Sequence, residues 1–237
     1  MKKLSLALLL FSGACASPAA EETKDKNSQK EPMEEKKHHH KHSHGSANAH
    51  MHSHSIEELV ERFESKERDE YQQPAKVLNY LGDLSGKKIM DIGAGSGYFS
   101  VKFAAAGAQV IAADVDTGFQ NYLQKRIAAD KIENVELRLM PYERPKINDQ
   151  EVDLVFISNT YHHIEDRIAY FKAVKKGLKP NGELIIVDFF KKELPIGPAM
   201  DHKIAKEKVL EELKAAGFVN FELKEELLPY QYVIKAK

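Results

Sequence analysis

The chain contains the stretch Lys88-Ile89-Met90-Asp91-Ile92-Gly93-Ala94-Gly95-Ser96-Gly97-Tyr98. It predicts an apolar strand that ends on an acid, a glycine-rich turn, and a helix over residues 98–106. A second apolar run, Val110-Ile111-Ala112-Ala113, predicts another strand, which ends on Asp114. Strand, loop, helix and strand form the first βαβ unit of a nucleotide-binding α/β sheet. Its glycines let the backbone approach a ligand closely, and the amides that open the helix favour an anionic group.

The spacing of the glycines narrows the class of ligand. A dinucleotide fingerprint reads G-x-G-x-x-G. Here the glycines are Gly93, Gly95 and Gly97, and the bulky Tyr98 stands where the third dinucleotide glycine would be. Tyr98 therefore disfavours an NAD-dependent oxidoreductase. With Asp91 two residues before the first glycine, the pattern D-x-G-x-G-x-G resembles the class I S-adenosylmethionine-dependent methyltransferases.

The resemblance implies a seven-stranded, doubly wound sheet over roughly residues 75–237. It also implies that the glycine loop holds the methionine part of S-adenosyl-L-methionine and that Asp114 holds the ribose. Met140 then lies near the adenine, although the acid that many relatives carry there is missing, and Asn159 lines the methionine end. The cofactor-binding residues implied in this way are Asp91, Gly93, Ala94, Gly95, Gly97, Asp114, Val115, Met140 and Asn159.

Hydrophobic spacing predicts further elements in alternating order. Helices are expected over residues 56–63, 75–81, 118–129, 164–178 and 205–216, and strands over 135–139, 152–158, 184–187, 218–223 and 232–234. A turn is predicted at 179–182. The loop around Pro229 is too short for a helical crossover, so the last two strands should be antiparallel. The alternation predicts an α/β fold with a mostly parallel sheet and a C-terminal antiparallel hairpin.

Two adjacent histidines, His162 and His163, follow the fourth predicted strand in the run Asn159-Thr160-Tyr161-His162-His163-Ile164. Imidazole titrates near neutrality, so a general base is one interpretation of this pair. A metal site is another. We favour a role in positioning the cofactor, because a similar pair occurs in many relatives without a uniform catalytic role. His202 is a separate candidate in a loop that could cover the substrate.

The amino terminus, residues 1–16, predicts an export signal. A short positive region precedes the apolar run Leu4–Phe11, which is too short to span a bilayer as a permanent helix. Ala14-Cys15-Ala16 matches an A-x-A cleavage site. Alternatively, Gly13-Ala14-Cys15 resembles the end of a bacterial lipoprotein signal. We favour the lipoprotein route, since the only cysteine falls at the required place. It predicts a lipid anchor at Cys15 and a periplasmic or membrane-anchored protein.

Residues 17–55 predict a disordered linker ahead of a folded domain at 56–237, because the linker contains no Leu, Ile, Val, Phe, Tyr or Trp. The linker is also rich in closely spaced histidines, and clustered imidazole groups bind Zn²⁺, Ni²⁺ or Cu²⁺. A solvated polar tail or a purification tag would explain the same composition, although the irregular spacing argues against a tag. The candidate metal ligands in this linker are His38, His39, His40, His42, His44, His50, His52 and His54.

Composition limits the partners. The net charge of −1 gives no electrostatic reason to expect nucleic acid, and one cysteine excludes a disulfide framework.

The sulfonium of the implied cofactor is already activated, so the protein mainly aligns an acceptor and excludes water. The sequence therefore predicts a methyltransferase with an unidentified, small-molecule acceptor. The alternative is an exported, non-catalytic binding module that has the same fold and a metal-binding tail.

Overall fold

The computed structural model describes residues 54–237. Three helices precede the sheet: α1 (Ile56–Phe63), α2 (Lys66–Gln72) and α3 (Pro74–Leu81). Ser55 caps α1 through a reciprocal pair of hydrogen bonds with Glu58, as a capping box requires. The predicted export signal and lipid anchor, the linker as far as residue 53, and the tail histidines from His38 to His52 lie outside the described residues.

The seven strands form one sheet in the order β3-β2-β1-β4-β5-β7-β6. They are β1 (Lys88–Ile92), β2 (Gln109–Asp114), β3 (Val135–Leu139), β4 (Val152–Ser158), β5 (Leu178–Phe189), β6 (Glu222–Lys224) and β7 (Gln231–Ala236). The pairings among β1 to β5 are parallel, and β7 pairs antiparallel with both β5 and β6. The predicted parallel sheet and terminal hairpin are confirmed.

Helices cover both faces of the sheet. They are α4 (Ser100–Ala105), α5 (Thr117–Ala129), α6 (Arg167–Gly177) and α7 (Lys206–Ala215), and a 3₁₀ turn covers Tyr161–His163. Ile89 packs with α3 and α4 on one face, whereas the next residue, Met90, packs with α6 and α7 on the other. Because both faces are buried, the central strands read as continuous apolar runs. This arrangement leaves the carboxyl edge of the sheet for a ligand.

Two helices begin later than the sequence predicts. The helix expected from Tyr98 begins at Ser100, because Gly97 has a φ of 82° and the turn continues through Phe99. The helix expected from Ile164 begins at Arg167, after Asp166 accepts a hydrogen bond from the backbone N–H of Ala169 and caps it.

The turn predicted over residues 179–182 is wrong. β5 already pairs with β4 at Leu178, and the register shifts by a bulge before Glu183 pairs with Leu154. Asn181, with a φ of 67°, supplies the left-handed backbone of this irregularity. The sixth strand is also shorter than expected and begins at Glu222 rather than at residue 218.

Within residues 54–237, no helix has both the length and the apolar composition that crossing a bilayer requires.

Candidate functional site

The glycine loop folds back onto the carboxyl end of β2. The backbone N–H groups of Gly93 and Ala94 donate to the carbonyl oxygen of Ala113, at 2.8 and 3.1 Å. The N–H of Gly95 donates to Oδ2 of Asp114 at 2.7 Å. The structure therefore brings together the loop and the acid that the sequence predicts for one ligand site.

Gly97 must be a glycine for two reasons. Its φ of 82° is in the left-handed region, and a Cβ atom there would lie 2.5 Å from Cδ1 of Leu123. Gly93 has a φ of 74°, and an added Cβ would collide with the side chain of Thr160. Close packing of the loop against α5 and the residues after β4 therefore excludes any side chain at these two positions.

The carboxylate of Asp114 is buried, with 6 % of the residue exposed. Burial raises its pKa to about 6, although hydrogen bonds from the N–H groups of Asp116 and Gly95 act in the opposite direction. An ionised carboxylate accepts about four hydrogen bonds. Asp114 thus keeps acceptor capacity for a diol.

Asp91 is a second buried acid, 3 % exposed, at the end of β1. Its Oδ2 accepts a hydrogen bond of 2.6 Å from the hydroxyl of Ser100. Burial raises the pKa of Asp91 to about 6, and the Ser100 hydroxyl and the guanidinium of Arg68 partly offset that rise. A cationic ligand group at this place would relieve the cost of the buried charge.

Met140 lies beside Asp114, where the sequence places the adenine. Its backbone N–H donates to the carbonyl oxygen of Asp114 at 2.8 Å, and Val115 packs in the same hydrophobic cluster. Tyr142 is a further neighbour: burial and then the charges of Asp116 and Asp114 raise the pKa of its hydroxyl. The region expected to hold the adenine therefore combines the apolar side chains of Met140 and Val115 with the phenol group of Tyr142.

Asn159 belongs to a closed ring of three amide side chains. Its Nδ2 donates to Oε1 of Gln72, whose Nε2 donates to Oε1 of Gln231 at 2.9 Å. Nε2 of Gln231 completes the ring by donating to Oδ1 of Asn159. Gln72 and Gln231 are fully buried. We call this set the amide ring; it joins α2, the end of β4 and the start of β7.

His162 and His163 lie at the carboxyl edge, where the sequence predicts them, but their surroundings differ. Nδ1 of His162 lies 3.1 and 3.2 Å from the two carboxylate oxygens of Asp188, and both side chains are almost fully buried. The rings of His162 and His163 are 4.3 Å apart. Burial first, and then the neighbouring His162, lower the pKa of His163 to about 3. His202 acts on His163 in the same direction and so lies near this pair.

The N-terminal helices contact the glycine loop directly. Phe63 would lie 3.4 Å from a Cβ added to Gly95. The Glu64 carboxylate accepts a hydrogen bond from the hydroxyl of Ser96 and forms an ion pair of 2.7 Å with Arg126. Arg126 also donates to the carbonyl oxygen of Ser96. The segment therefore forms one wall of the site.

The sequence does not mark Phe63, Arg68, Gln72 or Gln231 as site residues. It places Asp188 directly after the fifth predicted strand, at the carboxyl edge of the sheet, without singling out a role for this acid. No local signal marks Arg68 or Gln72, since α2 reads Lys-Glu-Arg-Asp-Glu-Tyr-Gln and looks like a solvated surface helix.

In the part of the chain from residue 54 onward, no group of three or more His, Cys, Asp or Glu side chains is arranged to hold a metal ion. His54 is the one tail histidine in that part, and its Nδ1 lies 3.8 Å from Oε2 of Glu58. Metal binding by the tail stays a prediction.

Comparison with known families finds a match within this fold. Residues 90–186, from β1 to β5, match the family described as a methyltransferase domain. The tRNA U34 carboxymethyltransferase of Hydrogenovibrio crunogenus is 33% identical over 116 residues, which are 47% of this chain and 35% of that protein. The ubiquinone biosynthesis O-methyltransferase of Acinetobacter baylyi is 27% identical over 109 residues, 46% of each protein. The chain thus spans between a third and a half of the length of these curated relatives.

Solved structures establish the fold independently. An S-adenosylmethionine-dependent methyltransferase from Aquifex aeolicus superposes with a TM-score of 0.71 at 24% identity, covering 77% of this chain and 98% of that one. Phosphoethanolamine N-methyltransferase 2 of Haemonchus contortus, solved with S-adenosyl-L-methionine, gives a TM-score of 0.61 at 20% identity, covering 70% and 42%. The predicted class I methyltransferase fold is confirmed.

Proposed function

We propose that this chain is an S-adenosylmethionine-dependent methyltransferase with a small-molecule acceptor. The observation that carries the proposal is the hydrogen bond between Gly95 and Asp114, which joins the glycine loop to the ribose-type acid within the matched family segment. The residues fit the cofactor: Gly93 and Gly97 have no room for a side chain, so the loop keeps the glycines that its turn requires, and Asp114 retains acceptor capacity. The cofactor, when bound, supplies a methyl group on an activated sulfonium.

The acceptor is proposed to be a small molecule rather than RNA. Relatives act on different partners by name: one on tRNA U34, another in ubiquinone biosynthesis and a third on demethylmenaquinone. The net charge of −1 does not supply the basic excess that phosphate contacts require. Charge therefore favours the small-molecule class.

Acceptor activation is assigned to His162. The Asp188 carboxylate against Nδ1 favours the tautomer that carries its proton there and leaves Nε2 as a proton acceptor. His163 is less suited, because a pKa of about 3 makes it a weak base at neutral pH. An acceptor that must lose a proton, such as a hydroxyl group, would use His162. The remaining role of the protein is to align that atom and exclude water.

The test is calorimetry of the full chain with S-adenosylhomocysteine, followed by a screen for transfer of a labelled methyl group to small molecules. Binding together with transfer supports the enzyme. Binding without transfer to any acceptor class, tRNA included, favours the non-catalytic module, and no binding at all contradicts the enzyme.

Export and lipidation are proposed from the sequence of residues 1–16. Cys15 should be labelled by a fatty acid analogue in bacterial cells, and Cys15→Ser should abolish the labelling. Soluble, unlabelled protein cleaved after Ala16 would instead support the A-x-A route. Full-length protein in the cytoplasm would contradict both routes.

The tail is proposed to bind Zn²⁺, Ni²⁺ or Cu²⁺ independently of the cofactor. Deleting residues 17–55 should remove most metal uptake and leave the affinity for S-adenosylhomocysteine unchanged. A metal titration of both forms, with and without that ligand, measures this. Tight binding of one metal ion by the shortened chain, lost on His162→Ala, would place the metal at the histidine pair instead.

A further inference from the structure

The 3₁₀ turn that carries His162 is connected on both sides to one buried carboxylate. Tyr161, the residue before His162, donates through its phenol to Oε2 of Glu212 at 2.6 Å. Ile164, two residues after His162, accepts a 2.9 Å hydrogen bond on its carbonyl oxygen from Nη1 of Arg167. Nε and Nη2 of the same guanidinium donate to Oε2 and Oε1 of Glu212, at 2.7 and 3.1 Å. We call Tyr161, Arg167 and Glu212 the Glu212 network.

The Glu212 network is charged and largely shielded from water. Tyr161 and Glu212 are buried, and Arg167 is partly buried. Burial opposes the ionisation of Glu212, but the hydrogen bonds from Arg167 and Tyr161 outweigh it and lower the pKa of the carboxyl group. Burial, and then the hydrogen bond to Glu212, raise the pKa of the Tyr161 phenol. At neutral pH the carboxylate is therefore ionised, and the phenol keeps the proton that it donates.

The turn itself is short and weakly directed by its own contacts. Its backbone bonds run from the N–H of His163 to Thr160 and from the N–H of Ile164 to Tyr161. Bonds of this 3₁₀ type have poorer geometry than those of an α-helix. The Tyr161 ring also stacks on Phe171, with 5.1 Å between the ring centroids, but apolar contact is non-directional. The Glu212 network therefore supplies the directional bonds that join this turn to α6 and α7.

The position of the turn decides how His162 meets Asp188. Nδ1 of His162 lies 3.1 and 3.2 Å from the two carboxylate oxygens of Asp188, a residue of β5. Because β5 is a central strand of the sheet, Asp188 is fixed, and the imidazole reaches it only from the present place of the turn. A hydrogen bond weakens steeply when its angle is distorted. A displaced turn would therefore weaken the preference of Asp188 for a proton on Nδ1.

We propose that Glu212 is a positioning residue for His162. Through Tyr161 and Arg167 it holds the turn at the place where Asp188 keeps the imidazole proton on Nδ1 and leaves Nε2 unprotonated. The inference rests on the proposed function, in which Nε2 of His162 accepts a proton from the acceptor. It adds a residue of α7, which lies outside the matched family segment.

The competing explanation is that the Glu212 network only joins α6 to α7 and stabilises the fold. Glu151 offers a matched control, since it accepts two hydrogen bonds from one arginine, Arg138, at 2.9 and 2.8 Å. The side chains of Glu151 and Glu212 are equally buried, each 8 % exposed. Glu151 directly precedes β4, whereas His162 follows the opposite end of that strand. Loss of either carboxylate should lower stability, but only loss of Glu212 should disturb the imidazole.

The experiment is nitrogen–proton correlation NMR of labelled histidine side chains in the full chain, at a pH above neutrality where imidazole is uncharged. The signal of His162 is identified by its absence from His162→Ala. In the wild type we expect the proton on Nδ1. In Glu212→Gln and in Tyr161→Phe the ratio of the two tautomers should fall about two- to tenfold, as weakening of one neutral hydrogen bond allows. Glu151→Gln should keep the wild-type ratio.

The double variant tests whether Tyr161 acts through Glu212. If it does, Tyr161→Phe should have little further effect on the tautomer ratio once Glu212→Gln is present, because both changes remove the same bond. Tyr161→Phe deletes one oxygen atom from a buried ring and leaves no cavity larger than that atom. It therefore carries the test alone if Glu212→Gln does not fold.

Three results would overturn the inference. The tautomer ratio of His162 could stay at the wild-type value in Tyr161→Phe and in folded Glu212→Gln protein. It could fall as far in Glu151→Gln, which would make the effect a general loss of stability. The effects of Tyr161→Phe and Glu212→Gln could also be additive, which would separate the two residues.

Failure of the proposed function would look different. Wild-type protein that does not bind S-adenosylhomocysteine in calorimetry would contradict the enzyme, whatever the variants do to the imidazole. A wild-type His162 that carries its proton on Nε2 would contradict its role as the base, and with it the positioning role of Glu212.

Discussion

The N–H of Gly95 donates a 2.7 Å hydrogen bond to Oδ2 of Asp114, so the tip of the glycine loop and the acid of the second strand form one unit. Either partner therefore affects the other's position. A ligand that binds the carboxylate of Asp114 also contacts a loop whose conformation that carboxylate stabilises. Changes at Asp114 should consequently alter both binding and loop order.

Asp114→Ala is expected to weaken S-adenosylhomocysteine binding by about 1–3 kcal/mol, the cost of leaving polar partners unsatisfied. Calorimetry measures the loss. Asp149→Asn, at an exposed loop position, is the control and should bind normally. Wild-type affinity in a folded Asp114→Ala protein would remove the ribose contact from the proposal.

Cofactor affinity should fall as the pH drops below about 6. The pKa values of Asp91 and Asp114 are both raised to about 6. Protonation below this pH removes acceptor sites on the carboxylates that are expected to bind the cofactor. Titration with S-adenosylhomocysteine between pH 5 and 8 tests this, and Asp114→Asn should make the profile shallower, because Asp91 still titrates. A flat profile in the wild type would contradict the assignment.

The same two groups predict the pH dependence of stability in the ligand-free protein. Their folded pKa of about 6 exceeds the ordinary value of 3.8, so the folded state binds more protons between these values. Their contribution to the free energy of unfolding is therefore present at low pH and lost as the pH rises through 6. Denaturation gives the free energy of unfolding of wild type and of Asp91→Asn at pH 5 and 7. The difference between the two pH values should be smaller in Asp91→Asn than in the wild type.

Gly97→Ala should destabilise the fold far more than Gly86→Ala. Both glycines have φ values near 70–80°, so both substitutions carry the left-handed strain of about 1 kcal/mol. Only at Gly97 would the new Cβ meet a neighbour, 2.5 Å from Leu123, whereas nothing lies within 4 Å at Gly86. Urea denaturation measures the free energy of unfolding of both variants. An equal decrease of this free energy in the two would contradict the packing argument.

Asp188→Asn should lower the rate of methyl transfer to an oxygen acceptor without changing the affinity for S-adenosylhomocysteine. The amide no longer favours the tautomer of His162 that leaves Nε2 free. His162→Ala removes the proposed general base and should lower the rate of methyl transfer roughly 10²–10⁴-fold. Asp188→Glu should restore part of the activity. Equal losses of binding and rate would make the pair structural.

The parts of the site that are local in sequence could be predicted, and the parts assembled from distant segments could not. The glycine loop and Asp114 follow from spacing within a single βαβ unit. The bond between Gln72 and Gln231 joins residues 159 positions apart, and nothing in either neighbourhood indicates the other. The pairing of His162 with Asp188 requires knowing that β4 and β5 are adjacent, which only the sheet order provides.

The amide ring has a consequence for how the N-terminal helices are held in different solutions. Its three members are uncharged, so neither pH nor dissolved salt changes their hydrogen bonds appreciably. A second attachment of the segment, the ion pair of Glu64 with Arg126, lies partly in solvent and weakens as ionic strength rises. The stacking of the Phe63 ring on Phe119, with 5.7 Å between the ring centroids, does not weaken with salt in this way. Concentrated salt should therefore loosen the contact of Glu64 with Arg126, while α2 stays held at Gln72.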